Sequence, residues 1–183
     1  MKLPVFEIPI YKYEIENWEE NKKSLMKILP DFLQKGDFTD YYDNQMASFM
    51  PLYANTVFNL IQKSMEDFAQ YYPCPAQIVN MWCERSRAGD RHEPHNHGAT
   101  GFSAVLYVQF EEGKHKPTRF FSPFGDPANG DLMQYEPDVK EGDLIIFPSF
   151  LIHESQMCDT DYERIIISFN IMGQDQYNIL HSV

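Results

Sequence analysis

At Pro75 the chain changes period, and that change limits the folds open to it. Before Pro75, apolar residues recur every three or four positions. After it they alternate, in short runs separated by clusters of Gly, Pro, Asn and Asp. The runs are Gln77 to Cys83, Glu93 to His97, Phe102 to Phe110, Thr118 to Ser122, Asp143 to Phe147, Leu151 to Ser155 and Arg164 to Met172. Seven short strands preceded by helices predict an α+β, mainly β domain: a jelly-roll core buttressed on one face by two N-terminal helices.

Val5 to Ile15 alternates and predicts a strand on a sheet edge. Asn17 and Glu20 have capping-box spacing, and Leu25, Ile28, Leu29, Phe32 and Leu33 follow at helical intervals until Gly36, with Pro30 set to kink or split the run. Asp37 to Phe49 predicts a loop. A second helix from about Pro51 carries Val57, Phe58, Ile61, Met65 and Phe68 on one stripe, and Tyr71-Tyr72-Pro73-Cys74-Pro75 ends it. With no repeat or low-complexity linker, residues 1–183 are expected to form one domain. Residues 1–75 would support it, 76–173 form the core, and 174–183 a tail.

The 183 residues carry a net charge of −12, which argues against nucleic acid or an anionic membrane as main partner. No apolar run approaches membrane-spanning length and no export signal is evident, so a cytoplasmic protein is expected. Cys74, Cys83 and Cys158 form no CxxC pair and suggest neither a disulfide framework nor a thiolate zinc site.

The chemistry concentrates in Glu93-Pro94-His95-Asn96-His97-Gly98. Histidines one residue apart on an extended segment face the same way, which makes a two-point clamp for a metal. A third imidazole, His153, would complete a facial set with positions left open for substrate and gas. In the last strand Arg164, Ser168 and Asn170 share one face, and Ile165, Ile167, Phe169 and Ile171 the other. An inward arginine requires an anionic partner, and a small dicarboxylate would satisfy it bidentately. Tyr107, on the strand Phe102 to Phe110, is placed to donate to the same carboxylate.

The other candidates read more plainly. Asn80 and Trp82 share a face ahead of the clamp, as pocket lining or core. Glu93 is an alternative oxygen ligand or a partner that fixes an imidazole tautomer. His92 has the opposite strand parity from His95 and is expected off the metal. His115, between two lysines in a turn, is expected in solvent, and Phe147 and Phe169 in the core.

Together, His95-x-His97, Ser103-Ala104-Val105-Leu106-Tyr107, Gly142-Asp143-Leu144-Ile145-Ile146-Phe147-Pro148, His153 and Arg164 resemble the Fe(II)/2-oxoglutarate-dependent oxygenases. Within them the likeness is to the prolyl-hydroxylase-like branch and the small bacterial and phage group, over roughly Gln77 to Gly173. The resemblance implies a double-stranded β-helix, with iron held by His95, His97 and His153. It also implies 2-oxoglutarate held at its far carboxylate by Arg164 with Tyr107 and Ser168, and O₂ as second co-substrate; Asn80, by its strand parity, is expected to contact the oxo acid or the substrate. The implied activity is hydroxylation of a C–H bond in a small molecule, amino acid or peptide, with release of succinate and CO₂. One position departs from the pattern: His97 stands where most members have a carboxylate. Three neutral imidazoles leave the ion's double charge undiminished and also suit Zn²⁺ or Cu²⁺. Two other readings stay open, a three-histidine cupin-like dioxygenase that does not use 2-oxoglutarate and a non-catalytic jelly-roll binding module. A homodimer is neither required nor excluded.

Overall fold

The computed structural model describes residues 7–29, 50–72 and 75–173. The chain orders β1 (Tyr11–Glu14), α1 (Trp18–Leu25), α2 (Ala54–Phe68), β2 (Ala76–Ser86), β3 (His92–His95), β4 (Phe102–Gln109), β5 (Thr118–Gly125), β6 (Leu132–Tyr135), β7 (Asp143–Pro148), β8 (His153–Ser155) and β9 (Arg164–Gly173). Two antiparallel sheets result, β1-β7-β4-β9-β2 and β3-β8-β5-β6. This is a double-stranded β-helix.

Strand alternation builds two separate cores from the first sheet. On the outer face, Ala104, Leu106, Ile146, Ile165, Ile167, Phe169 and Ile171 pack against Leu25 of α1 and Val57, Ile61 and Phe68 of α2. Each such Leu, Ile or Phe stabilises by about 1.5–3 kcal/mol relative to exposure, and this layer holds the helices in place. On the inner face Val105, Tyr107, Ile145, Phe147 and Ile166 meet Phe120 of the second sheet and Leu151, just before β8. The polar positions of β9 lie on this inner side, so the sandwich interior is only partly apolar.

Several sequence expectations need correction. Asn17 is left-handed (φ 53°) and its side chain makes no cap hydrogen bond; its carbonyl instead accepts Glu20 N and Asn21 N, each at 3.2 Å. The α1 helix ends at Leu25, before Pro30, and the rest of the predicted run, from Pro30 to Gly36, lies outside the described residues. Residues 30–49, including the predicted loop, lie outside the described residues, as do Cys74 and the tail 174–183. Among the described residues the N-terminal strand is Tyr11–Glu14, on the sheet edge beside β7; Val5 and Phe6 lie outside the described residues. Strand β6 falls outside the seven runs that the alternation predicts. Its four residues are all exposed, so it lacks the burial alternation that would signal a strand. His115 is buried, because the turn Glu111 to His115 folds its ring against Phe110 and Tyr162. Its Nδ1 accepts from Glu111 N (2.9 Å), and its Nε2 lies 2.9 Å from Tyr162 O. Among the described residues no helix is long and apolar enough to cross a membrane.

Candidate active site

The pairing of β2 with β9 sets out the site. Asn80 lies opposite Asn170, Trp82 opposite Ser168, Glu84 opposite Ile166 and Ser86 opposite Arg164. Residues opposed in an antiparallel pair share a face, so a polar strip runs along the interior from the two carboxamides to the guanidinium. Strand β4 adds Ser103 opposite Asn170 and Tyr107 opposite Ile166.

The imidazoles enter from the other sheet. His95 on β3 pairs with His153 on β8. His97 lies just beyond the strand and is anchored by its N–H to Ser149 O at 2.9 Å. The clamp therefore forms although only its first histidine is on the strand. One nitrogen from each of His95, His97 and His153 lies within 4.8 Å of the others, and the Nε2 atoms of His95 and His97 are 3.1 Å apart.

The other ring nitrogens fix the tautomers. His95 Nδ1 bonds Glu93 O (2.6 Å), His153 Nδ1 bonds Leu151 O (2.9 Å), and His97 Nδ1 bonds Asn170 Oδ1 (2.6 Å). Oxygens of this kind only accept, so each ring carries its proton on Nδ1 and turns the Nε2 lone pair inward. Glu93 thus fixes a tautomer, but through its backbone carbonyl; its carboxylate pairs with Arg91 at the surface. Burial keeps the rings neutral, pushing His95 down to about 4 and His153 down to about 3, and lowering His97 as well. Converging lone pairs without a proton between them repel unless a cation joins them. Two nitrogens each about 2.1 Å from one ion and at right angles about it stand roughly 3 Å apart, which is the separation of the His95 and His97 nitrogens. The donor set fits a divalent metal.

His92 does not follow its predicted parity. An irregularity between His92 and His95 breaks the alternation of β3, and the His92 ring stacks on His95 at 4.0 Å between centroids. It is not part of the three-histidine group.

Deeper in, Arg164 is 1 % exposed. Its Nη2 donates to Ser155 Oγ at 2.7 Å and its Nη1 reaches Lys116 O at 3.5 Å, while its Nε has no partner among the described residues. Among the described residues no carboxylate lies within 4.0 Å of it. The Tyr107 hydroxyl donates to Thr118 Oγ1 (3.0 Å) and accepts from Thr118 N (3.1 Å). Burial raises its pKa. Ser168, Thr118 and Ser155 line one cavity with the three imidazoles, Trp82 and Glu84, of only about 20 Å³, room for about one water. A cavity of that size takes in a five-carbon diacid only if its lining moves.

Asn80 is not in this inner cavity. It lines a second, outer one of about 420 Å³ with Asn96, Ser149, Asn170 and Met172, and the two cavities share Trp82, His92, His95 and His97. The two spaces therefore meet at the imidazoles, with Asn80 on the outer side and Arg164 beyond the inner one. Phe169 is in the helix-side core and Phe147 in the interior core, where it packs edge-on to His153. Sequence reasoning passed over Glu84, Thr118 and Ser155. Glu84 had a signal, since it continues the parity of Asn80 and Trp82; Thr118 and Ser155 are ordinary strand residues whose roles appear only once β5 and β8 pair.

Residues 80–170 match a family model described as "Putative 2OG-Fe(II) oxygenase". Among solved structures, a viral collagen prolyl hydroxylase from Paramecium Bursaria Chlorella virus-1, in its 2OG complex, is 17 % identical with a TM-score of 0.57, over 88 % of this chain and 94 % of that one. A Pseudomonas putida prolyl-4-hydroxylase is 12 % identical with a TM-score of 0.55, over 90 % and 88 %. The non-heme alpha ketoglutarate dependent epimerase SnoN from nogalamycin biosynthesis is 14 % identical with a TM-score of 0.64, over 90 % and 78 %. At these identities the structures establish the fold. No protein of curated function matches the sequence. Family match and fold together identify an enzyme of the non-haem iron class. The chain belongs to the Fe(II)/2-oxoglutarate-dependent oxygenases, with iron(II), 2-oxoglutarate and O₂ as cofactor and co-substrates.

Proposed function

We propose that this enzyme hydroxylates a C–H bond of a small-molecule or peptide substrate. His95, His97 and His153 hold the iron, and Arg164, with Tyr107 and Ser168, holds the far carboxylate of 2-oxoglutarate. Iron(II) with the oxo acid and O₂ supplies the oxidising power: one oxygen atom enters the C–H bond, the other enters succinate, and CO₂ leaves.

The observation that carries this reading is Arg164, a buried guanidinium with no carboxylate within 4.0 Å among the described residues, beyond a set of three inward-facing imidazoles. An unpaired buried cation is costly, and a dicarboxylate reaching from the imidazoles to Arg164 supplies the missing anion. The rest of the chain's task is placement and exclusion of water. Phe147 and Phe120 pack around His153, and the inner cavity, which must widen to admit the co-substrate, holds little solvent of its own. The outer cavity, with Asn80 and Trp82 at its wall, is where substrate would approach the imidazoles.

The test is conversion of 2-oxoglutarate to succinate by the Fe²⁺-loaded protein across a set of amino acids, peptides and small metabolites. Substrate-stimulated succinate with a product heavier by one oxygen is expected, and neither should form with His153→Ala. Succinate formation that is unchanged in His153→Ala contradicts the assignment.

A further inference from the structure

We propose that Glu84 is the counter-charge of the metal centre: its carboxylate, placed beside the ligand set and outside it, balances the charge that three neutral imidazoles leave on a divalent ion. The inference rests on the metal site proposed above and concerns what makes that site hold a cation.

Glu84 is buried, with 7 % exposure. Among the described residues no lysine or arginine lies within 4.0 Å of its carboxylate. Its Oε1 accepts from Trp82 Nε1 at 3.1 Å, and its Oε2 lies 3.9 Å from His92 Nδ1. Arg164, more than 4.0 Å away, also acts on it electrostatically, but a buried carboxylate with no lysine or arginine in contact is stabilised further by any cation held beside it. Both contacts lead to the imidazole cluster. The Trp82 ring lies on His97 (5.4 Å between centroids, 29° between planes), and the His92 ring lies on His95 (4.0 Å, 19°). Glu84 is thus one ring away from two of the three ligands, and it lines the same inner cavity as all three. In a low-dielectric interior a charge at this range acts strongly on the ion. The same carboxylate also lies in the cavity assigned to the 2-oxoglutarate dianion, which it repels.

That double role separates a counter-charge from a structural residue. Titration calorimetry of Mn²⁺ into metal-free protein, without 2-oxoglutarate, should show Glu84→Gln binding the ion roughly 10- to 100-fold more weakly than wild type, the range for loss of a residue that supports metal ligands. Titration of 2-oxoglutarate into the Mn²⁺-saturated variant should show tighter binding than wild type, a gain that misfolding or loosened packing does not produce. Trp82→Phe removes the N–H bond and keeps the charge, so its Mn²⁺ affinity should stay near wild type. If Glu84→Gln fails to fold, Glu84→Met gives the same comparison with an apolar side chain of similar volume. Wild-type Mn²⁺ affinity in the uncharged variant overturns the proposal, as does a loss in Trp82→Phe equal to that in Glu84→Gln. A wild-type protein that binds no Mn²⁺ overturns the metal site itself, and the counter-charge with it.

Discussion

Asn170 Oδ1 accepts a hydrogen bond from His97 Nδ1 at 2.6 Å and a second from Ser103 Oγ at 2.8 Å. Ser149 Oγ in turn lies 3.0 Å from Ser103 Oγ. His97 lies past the end of β3, so this chain of hydroxyl and amide groups does for it what a strand does for His95. Asn170→Ala leaves the His97 ring free to rotate and to change tautomer. Metal affinity is expected to fall roughly 10- to 100-fold while the secondary structure is kept; calorimetry with Mn²⁺ and far-UV circular dichroism check both. Wild-type affinity in this variant shows that the amide does not orient the ligand.

In metal-free protein the buried imidazoles make folding sensitive to acid. Their folded-state pKa values, about 4 for His95 and about 3 for His153, lie below the unfolded value of about 6.5. Between those limits the unfolded chain binds more protons than the folded one, so stability falls as pH falls through this window and is fully present above it. Urea denaturation of metal-free protein should give a lower midpoint at pH 5 than at pH 7, and the difference should shrink in His153→Gln. An equal difference in the two proteins assigns the acid sensitivity to other groups.

Gly101 stands at the approach of β4 to β9, with φ +83°, and an added Cβ would lie 2.5 Å from the backbone oxygen of Ile171. Gly101→Ala is therefore strained both by its conformation and by the contact. A loss of stability of about 1–3 kcal/mol is expected, read from the denaturation midpoint. Because Ile171 adjoins Asn170, the same variant should also lose metal affinity. A variant as stable as wild type would show that the turn can adopt another path.

The change of period at Pro75 was enough to predict strands after helices, and the parity of Arg164, Ser168 and Asn170 revealed a polar interior face. Both follow from backbone geometry that one strand shows by itself. What was not legible depended on partners far away in sequence. His115 looks solvated beside two lysines until Tyr162 covers it, and β6 has no burial pattern because it lies on the outer edge of its sheet. The irregularity in β3 that brings His92 onto His95 cannot be read from alternation, since it is a break in it. Asn80 shares the parity of the site residues, yet only the three-dimensional arrangement shows that it lies in the outer cavity and not in the one beneath the imidazoles.

Removing the third imidazole tests the ligand set. His153→Ala should fold, because His153 is one residue at the edge of a large apolar interior, but should retain little metal after dialysis. Metal analysis by mass spectrometry is the readout. Stoichiometric metal in the variant would remove His153 from the site.

The most direct test of the account is calorimetric titration of 2-oxoglutarate into Mn²⁺-loaded wild-type protein and Arg164→Ala. Loss of a charge-assisted hydrogen-bonded pair of about 1.5–3 kcal/mol predicts one-to-one binding by wild type and affinity lower by roughly 10- to 100-fold in the variant, with Mn²⁺ affinity unchanged. No binding by wild type, or equal binding by the two proteins, would contradict a co-substrate that spans from the three imidazoles to Arg164.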